Sequence, residues 1–322
     1  MPMIHLSRRA LLCASLAAVL AVPGLAGARA AEKLTIMTSV PSLEFPFFVH
    51  MMKALKGEAD KLGDITVVES DGQNSTTKQT ADIEAAMVQK LNGIVISPKE
   101  VDAMAPALKA AVDAGIPVVT IDRRVDGVPD ILAHVGADNV LGGEAQGKYI
   151  MELFPNGATI VNLQGQPGAS PAIDRNKGVH NVLDKAADKY KFVAEQTAEF
   201  ARDKGLSVTE SILGGLKTPP DVIVAANDDM ALGALEAVTS LGLKDKIKII
   251  GFDALPEALG SVRDGGLAAT VEQFPGGQSR KAMDELVDYL RNKTTPPKLT
   301  LLTPIIITKA NLDKAERLGE LK

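Results

Sequence analysis

The residues best equipped to hold a ligand recur just beyond short apolar runs: Phe45 with Phe47 and Phe48, Ser97, Asp122 with Arg123, Arg175, Phe200, Asn227, Phe252 with Asp253, and Gln273. Five of the eight phenylalanines fall in this set, and the chain has no Trp. Aromatic faces beside carboxylates, guanidinium groups and amides suit a pyranose or furanose. The C–H faces of such a ring stack on aromatic rings, and its hydroxyls bridge planar polar groups. Asp122 and Asp253 offset Arg123 and Arg175, so the set is close to neutral, whereas a phosphorylated or carboxylated ligand calls for a positive surplus.

Each of these residues also has a plainer role. Phe47 and Phe48 at a helix start could staple or fill a core, Asp122 could cap a loop, and Arg175 could lie exposed on a helix. One of Asn227 and Asp228, ahead of an apolar helix, is expected to be an N-cap. Their joint placement after successive strands is what points to a site. Other features carry less. Gly142, Gly143 and Gly147 fit neither nucleotide-binding spacing, and close helix packing accounts for them. His50, His134 and His180 stand apart without metal-ligand spacing, so no metal or other cofactor is expected.

The elements that must position these residues alternate regularly. Strand-like runs at 34–37, 65–68, 93–96 and 116–121 are separated by helical patterns at 46–62, 77–91 and 103–114. The same rhythm restarts after Gly136-Ala137-Asp138. Strands are expected at 158–163, 192–195, 222–225, 247–251 and 268–271, with helices at 140–153, 171–187, 204–216, 229–241 and 257–264. A spacing of about thirty residues is that of a βαβ unit, and strands this apolar must be covered on both faces. The sequence therefore predicts an α/β protein of two doubly wound parallel-sheet lobes. A last helix at 277–291 and the stretch 299–308 return to complete them, with crossings near Ala137, Phe274 and Thr303 forming a three-segment hinge. The lobes are expected to comprise residues 31–137 with 274–302 and residues 138–273 with 303–322. In open α/β sheets ligands bind beyond the carboxyl ends of the strands, which is where the residues above lie.

Residues 1–30 stand outside this pattern. Ser7-Arg8-Arg9, the largely apolar run Ala10–Val22 and Ala28-Arg29-Ala30 have the order of a secretory signal peptide, with cleavage expected after Ala30. The paired arginines resemble a twin-arginine signal. The full chain of 322 residues carries a formal charge of −5, and losing Arg8, Arg9 and Arg29 brings it to −8. That balance argues against a nucleic-acid surface. Cleavage also removes Cys13, the only cysteine, and with it thiol catalysis and disulfides.

The stretches Pro46-Phe47-Phe48-Val49, Thr120-Ile121-Asp122-Arg123, Gly136–Gly143, Asn227–Leu235, Gly251-Phe252-Asp253 and Leu267–Thr270 resemble signatures of the periplasmic sugar-binding proteins of the ribose/galactose type. These are the substrate-binding components of ABC sugar importers, and the likeness spans nearly all of the mature chain. It implies a type I periplasmic binding fold and a monomeric, non-enzymatic carrier. Its partners would be a neutral sugar or polyol, an ABC permease and, as an alternative, a chemoreceptor. It further implies that Phe47, Phe48, Phe200 and Phe252 flank the ring, while Asp122, Arg123, Arg175, Asn227, Asp253 and Gln273 hold its hydroxyls. Phe45 stands where ribose binders carry Asn, and Ser97 where they carry another amide. A different pentose, a deoxy sugar or a polyol fits that less polar wall, with Glu44 offering a replacement acceptor. Two other classes are disfavoured. A lac-repressor-type sensor would begin with a helix-turn-helix rather than an export signal, and an enzyme would need a nucleophile–base pair, metal cluster or phosphate loop.

Overall fold

The computed structural model describes residues 33–321. The predicted export signal, residues 1–30, lies outside them. Two parallel sheets organise the described chain. The first contains β1 (Leu34–Val40), β2 (Ile65–Asp71), β3 (Gly93–Ile96), β4 (Val118–Ile121), β5 (Ala133–Ala137) and β11 (Leu299–Leu302), in the order β11-β5-β4-β3-β1-β2. The second contains β6 (Ala158–Gln164), β7 (Tyr190–Thr197), β8 (Val222–Ala225) and β9 (Lys248–Ile250), in the order β7-β6-β8-β9. A parallel bridge from Ile250 to Ala269 brings β10 (Thr270–Glu272) to its edge, and β12 (Ile305–Ile307) pairs antiparallel with β10. The central strands β3, β4 and β8 are buried along their whole length, as strands roofed on both faces must be. The outer strands β2 and β7 are only partly buried.

The helices are α1 (Pro46–Leu62), α2 (Thr76–Val88), α3 (Ala105–Asp113), α4 (Asn139–Leu153), α5 (Ser170–Leu183), α6 (Arg202–Gly215), α7 (Asp228–Ser240), α8 (Pro256–Asp264) and α9 (Pro275–Asn292). The sequence expected all nine, within about five residues at every boundary. It did not single out β5, whose five residues include His134 and Gly136 and so read poorly as an apolar run. The stretch 299–308 is two strands, β11 and β12, parted at Thr303-Pro304.

The chain passes between sheets at three places: from β5 into α4, from β10 into α9, and from β11 into β12. At the second, Phe274 takes a left-handed φ of 59°. The switch points of the two sheets lie between β1 and β3 and between β6 and β8, where neighbouring crossovers leave in opposite directions and open a crevice. The two crevices are built alike, and the residues following these strands meet across one gap.

Candidate functional site

That gap is a cavity of about 350 Å³, lined by Phe45, Phe47, Phe48, Asp122 and Arg123 on the first side and by Pro171, Arg175, Phe200, Asn227, Asp229, Asp253 and Gln273 on the second.

The backbone at the strand ends aims the side chains inward. Asp122, Phe200 and Asp253 all have positive φ, at 60°, 62° and 111°. None is glycine, so each conformation costs about 1–3 kcal/mol and persists only because the surroundings enforce it. At Asp122 the turn is tight, with the Arg123 N–H donating to Ile121 O at 2.5 Å. Strain at three cavity residues, each just after a strand, marks the gap as the place where local stability yields to geometry.

Aromatic rings wall the first side. Phe47 and Phe48 meet edge to face at 5.2 Å between centroids, and Phe45 meets Phe48 the same way at 6.3 Å. The Arg123 guanidinium lies 5.3 Å from the Phe48 ring and 5.6 Å from that of Phe200, which stands opposite. Gly165 gives the Phe200 ring its place, because a Cβ there would occupy the same space.

Polar groups fill the rest, and most are fixed by the protein. Arg175 donates from Nε to Asn139 Oδ1 at 2.8 Å and from Nη1 to Ala226 O at 2.7 Å, and stands 3.4 Å from Asp253 Oδ1. Arg123 donates to Lys99 O at 2.9 Å and to Gln166 Oε1 at 3.1 Å. Gln273 donates to Asp253 Oδ1 at 2.6 Å. Burial dominates the electrostatics. It raises the Asp122 carboxyl, pushes Asp253 up to about 7 and Asp229 up to about 6, and lowers Arg123 to about 10. Three buried polar atoms of the lining make no hydrogen bond within the protein: Gln273 Oε1, Asp229 Oδ2 and Arg123 Nε, which stands 3.9 Å from Asp122 Oδ2. Native interiors rarely leave such groups unpaired, so the lining residues hold one donor and two acceptors free to take a hydrogen bond.

The structure brings together ten of the twelve predicted residues and moves two beneath the surface. Ser97 is fully buried and donates to Asp122 Oδ2 at 3.2 Å, so it orients a lining carboxyl without reaching the cavity. Phe252, expected to flank a ring, instead packs under Arg175, whose guanidinium lies 3.6 Å from its centroid. Asn227 lines the gap and is also the N-cap of α7, accepting from Met230 N at 3.0 Å and donating to Phe200 O at 3.0 Å. Glu44 belongs to a separate surface groove with His50, Lys53 and Arg317, and replaces no acceptor in the cavity.

The predicted site did not include Pro171 or Gln166, and of the strand-end run Asn227-Asp228-Asp229 it kept only Asn227. Asp229 follows two equally polar residues, and nothing in the run Asn227-Asp228-Asp229 says which points inward. Gln166 spans the gap: it accepts from Arg123 and donates to Asn74 Oδ1 at 2.7 Å. Around it the sides meet directly, with Val101 N donating to Gly168 O at 3.0 Å, Arg124 N to Ser170 Oγ at 3.0 Å, and Arg124 paired with Asp174.

Residues 36–294 match the family model described as a periplasmic binding protein domain. The chain is 41% identical over 265 residues to the ribose import binding protein of Bacillus subtilis (strain 168), covering 81% of this chain and 83% of that one. The myo-inositol binding protein of Caulobacter, solved bound to myo-inositol, is 43% identical, with a TM-score of 0.87 over 90% of this chain and 98% of that one. An ABC transporter solute binding protein from Bacillus halodurans C-125 with bound myo-inositol is 29% identical, with a TM-score of 0.83 over 88% and 97%. Paired parallel sheets, strand ends facing across one gap and matches along almost the whole described chain agree: this protein belongs to the periplasmic binding protein family.

Proposed function

We propose that this protein is the exported, non-enzymatic solute-binding component of an ABC importer, and that its cargo is a neutral polyhydroxylated ring, a monosaccharide or a cyclitol. Asp122, Arg123, Arg175, Asn227, Asp253 and Gln273 would hold hydroxyls, while Phe47, Phe48 and Phe200 would cover the C–H faces. Two lobes, residues 31–137 with 274–302 and 138–273 with 303–322, would close on the ligand about the three crossings and present the closed face to a membrane permease. Contacts made to both sides only in the closed arrangement supply the driving force.

The observation that carries this reading is the pairing of aromatic walls with three lining atoms that make no hydrogen bond within the protein, Arg123 Nε, Gln273 Oε1 and Asp229 Oδ2, at one cavity. Hydroxyls satisfy both kinds, since each donates and accepts. The three cavity carboxyls, Asp122, Asp229 and Asp253, outnumber the two guanidinium groups, which disfavours an anionic cargo. Within the class, Phe45 in place of an amide and the two myo-inositol-bound relatives favour a cyclitol over ribose.

Thermal unfolding of the mature protein with D-ribose, L-arabinose, D-allose and myo-inositol, and with ribose 5-phosphate as an anionic control, tests it. A neutral member at a hundred times its Kd should raise the melting temperature by roughly 5 °C or more. No shift with any neutral compound, or preference for the phosphate, overturns the reading.

A further inference from the structure

The three polar residues that open α7 divide their tasks. Asn227 caps the helix. Asp228 is fully buried and engaged, accepting from Thr270 Oγ1 at 2.7 Å and from Leu255 N at 2.8 Å. Asp229 has neither duty. Its side chain lines the cavity, the residue is 8% exposed, and its buried Oδ2 has no hydrogen-bond partner. The cation whose charge acts on it, Arg202 on α6, is already held by Glu257 through two bonds of 2.7 Å and by Glu236 at 2.9 Å. A buried carboxylate oxygen left open beside a ligand cavity, at a helix end whose dipole favours negative charge, is an acceptor reserved for something outside the chain.

We propose that Asp229 is a specificity-determining residue that accepts a hydrogen bond from one hydroxyl of the cargo. The assignment rests on the carrier reading above and extends it, because the strand-end run Asn227-Asp228-Asp229 gave only Asn227 to the predicted site and the family resemblance assigned Asp229 no role. A site built around such an acceptor rejects an analogue lacking the matching hydroxyl far more strongly than one lacking a methylene, since the carboxylate is then buried unpaired. Arg123, Arg175 and Gln273 have partners inside the protein that hold them when one ligand contact is lost. Asp229 has none, so discrimination at its hydroxyl should be the steepest in the site.

The test is calorimetric titration of wild type, Asp229→Ala and Asp229→Asn with the tightest binder among D-ribose, L-arabinose, D-allose and myo-inositol, and with its monodeoxy analogues. Asp229→Ala should bind the parent compound about a hundredfold more weakly, and one monodeoxy analogue as well as the parent. Every other analogue should lose as much affinity in the variant as in wild type. Asp229→Asn, which keeps an acceptor oxygen and the side-chain shape, should lose about tenfold with the same hydroxyl dependence, and it serves if the alanine variant does not fold. Equal losses across all analogues, or a change of less than threefold in both variants, overturn the assignment while leaving the carrier reading intact. Wild type that binds none of these compounds overturns both.

Discussion

Single side chains in the cavity are held in states that water would not allow them. Burial pushes the Asp253 carboxyl up to about 7, against the pull of Arg175, while in an unfolded chain the group titrates near 3.9. Between those values the folded protein keeps a proton that the unfolded chain has released. The stability tied to this group is therefore greatest at low pH and falls as pH rises through 7. Asp253→Asn removes that titration. The melting temperature of ligand-free wild type relative to the variant should decline steadily from pH 5 to pH 8, measured by circular dichroism. A difference that grows with pH would contradict the burial argument.

Elements set where those side chains stand, and α4 and α5 do so by touching. At Gly143 a Cβ would collide with the carbonyl oxygen of Arg175, and at Gly178 with that of Val140, so only hydrogen fits where the helices cross. The close approach matters for the site because Arg175 projects from that crossing. Gly143→Ala should cost about 1–3 kcal/mol of stability by overpacking and also weaken ligand binding, as α5 moves and takes Arg175 with it. Gly57, on the open face of α1, has nothing within 4 Å of its would-be Cβ. There Gly57→Ala should add about 0.5–1 kcal/mol and leave binding unchanged. Urea denaturation of the pair separates a packing glycine from an incidental one, and equal effects would refute the distinction.

At the scale of the whole molecule, the cavity exists because two sheets meet across it, and polar contacts join its two sides beside a shared apolar cluster. Gln166 makes two of these polar contacts, joined to Arg123 and Asn74 on the opposite side. Gln166→Ala should leave the association rate within threefold, since encounter depends on the open crevice, and should speed dissociation about tenfold. Stopped-flow measurement with the best-binding compound checks this. An effect confined to association would place Gln166 at the entrance instead of at the closure.

What the chain dictated by itself was the repeating order of apolar strands and amphipathic helices, hence parallel sheets, their number and the strand ends as the place for chemistry. These follow from local periodicity and from the need to cover both faces of a parallel sheet. The glycines of α4 were legible for the same reason, since spacing alone excluded a phosphate loop. The direction of each strand-end side chain was not. One residue further along a helix start rotates a side chain by about 100°, which is why Asp229 lines the cavity and Asp228 does not, while Ser97 and Phe252 turn beneath the lining in the loops after their strands. β5 was equally hidden, because its membership depends on the edges of β4 and β11 and not on its own residues. Only the tertiary structure could decide these points, since each turns on neighbours distant in sequence and on a backbone conformation that the surrounding packing imposes.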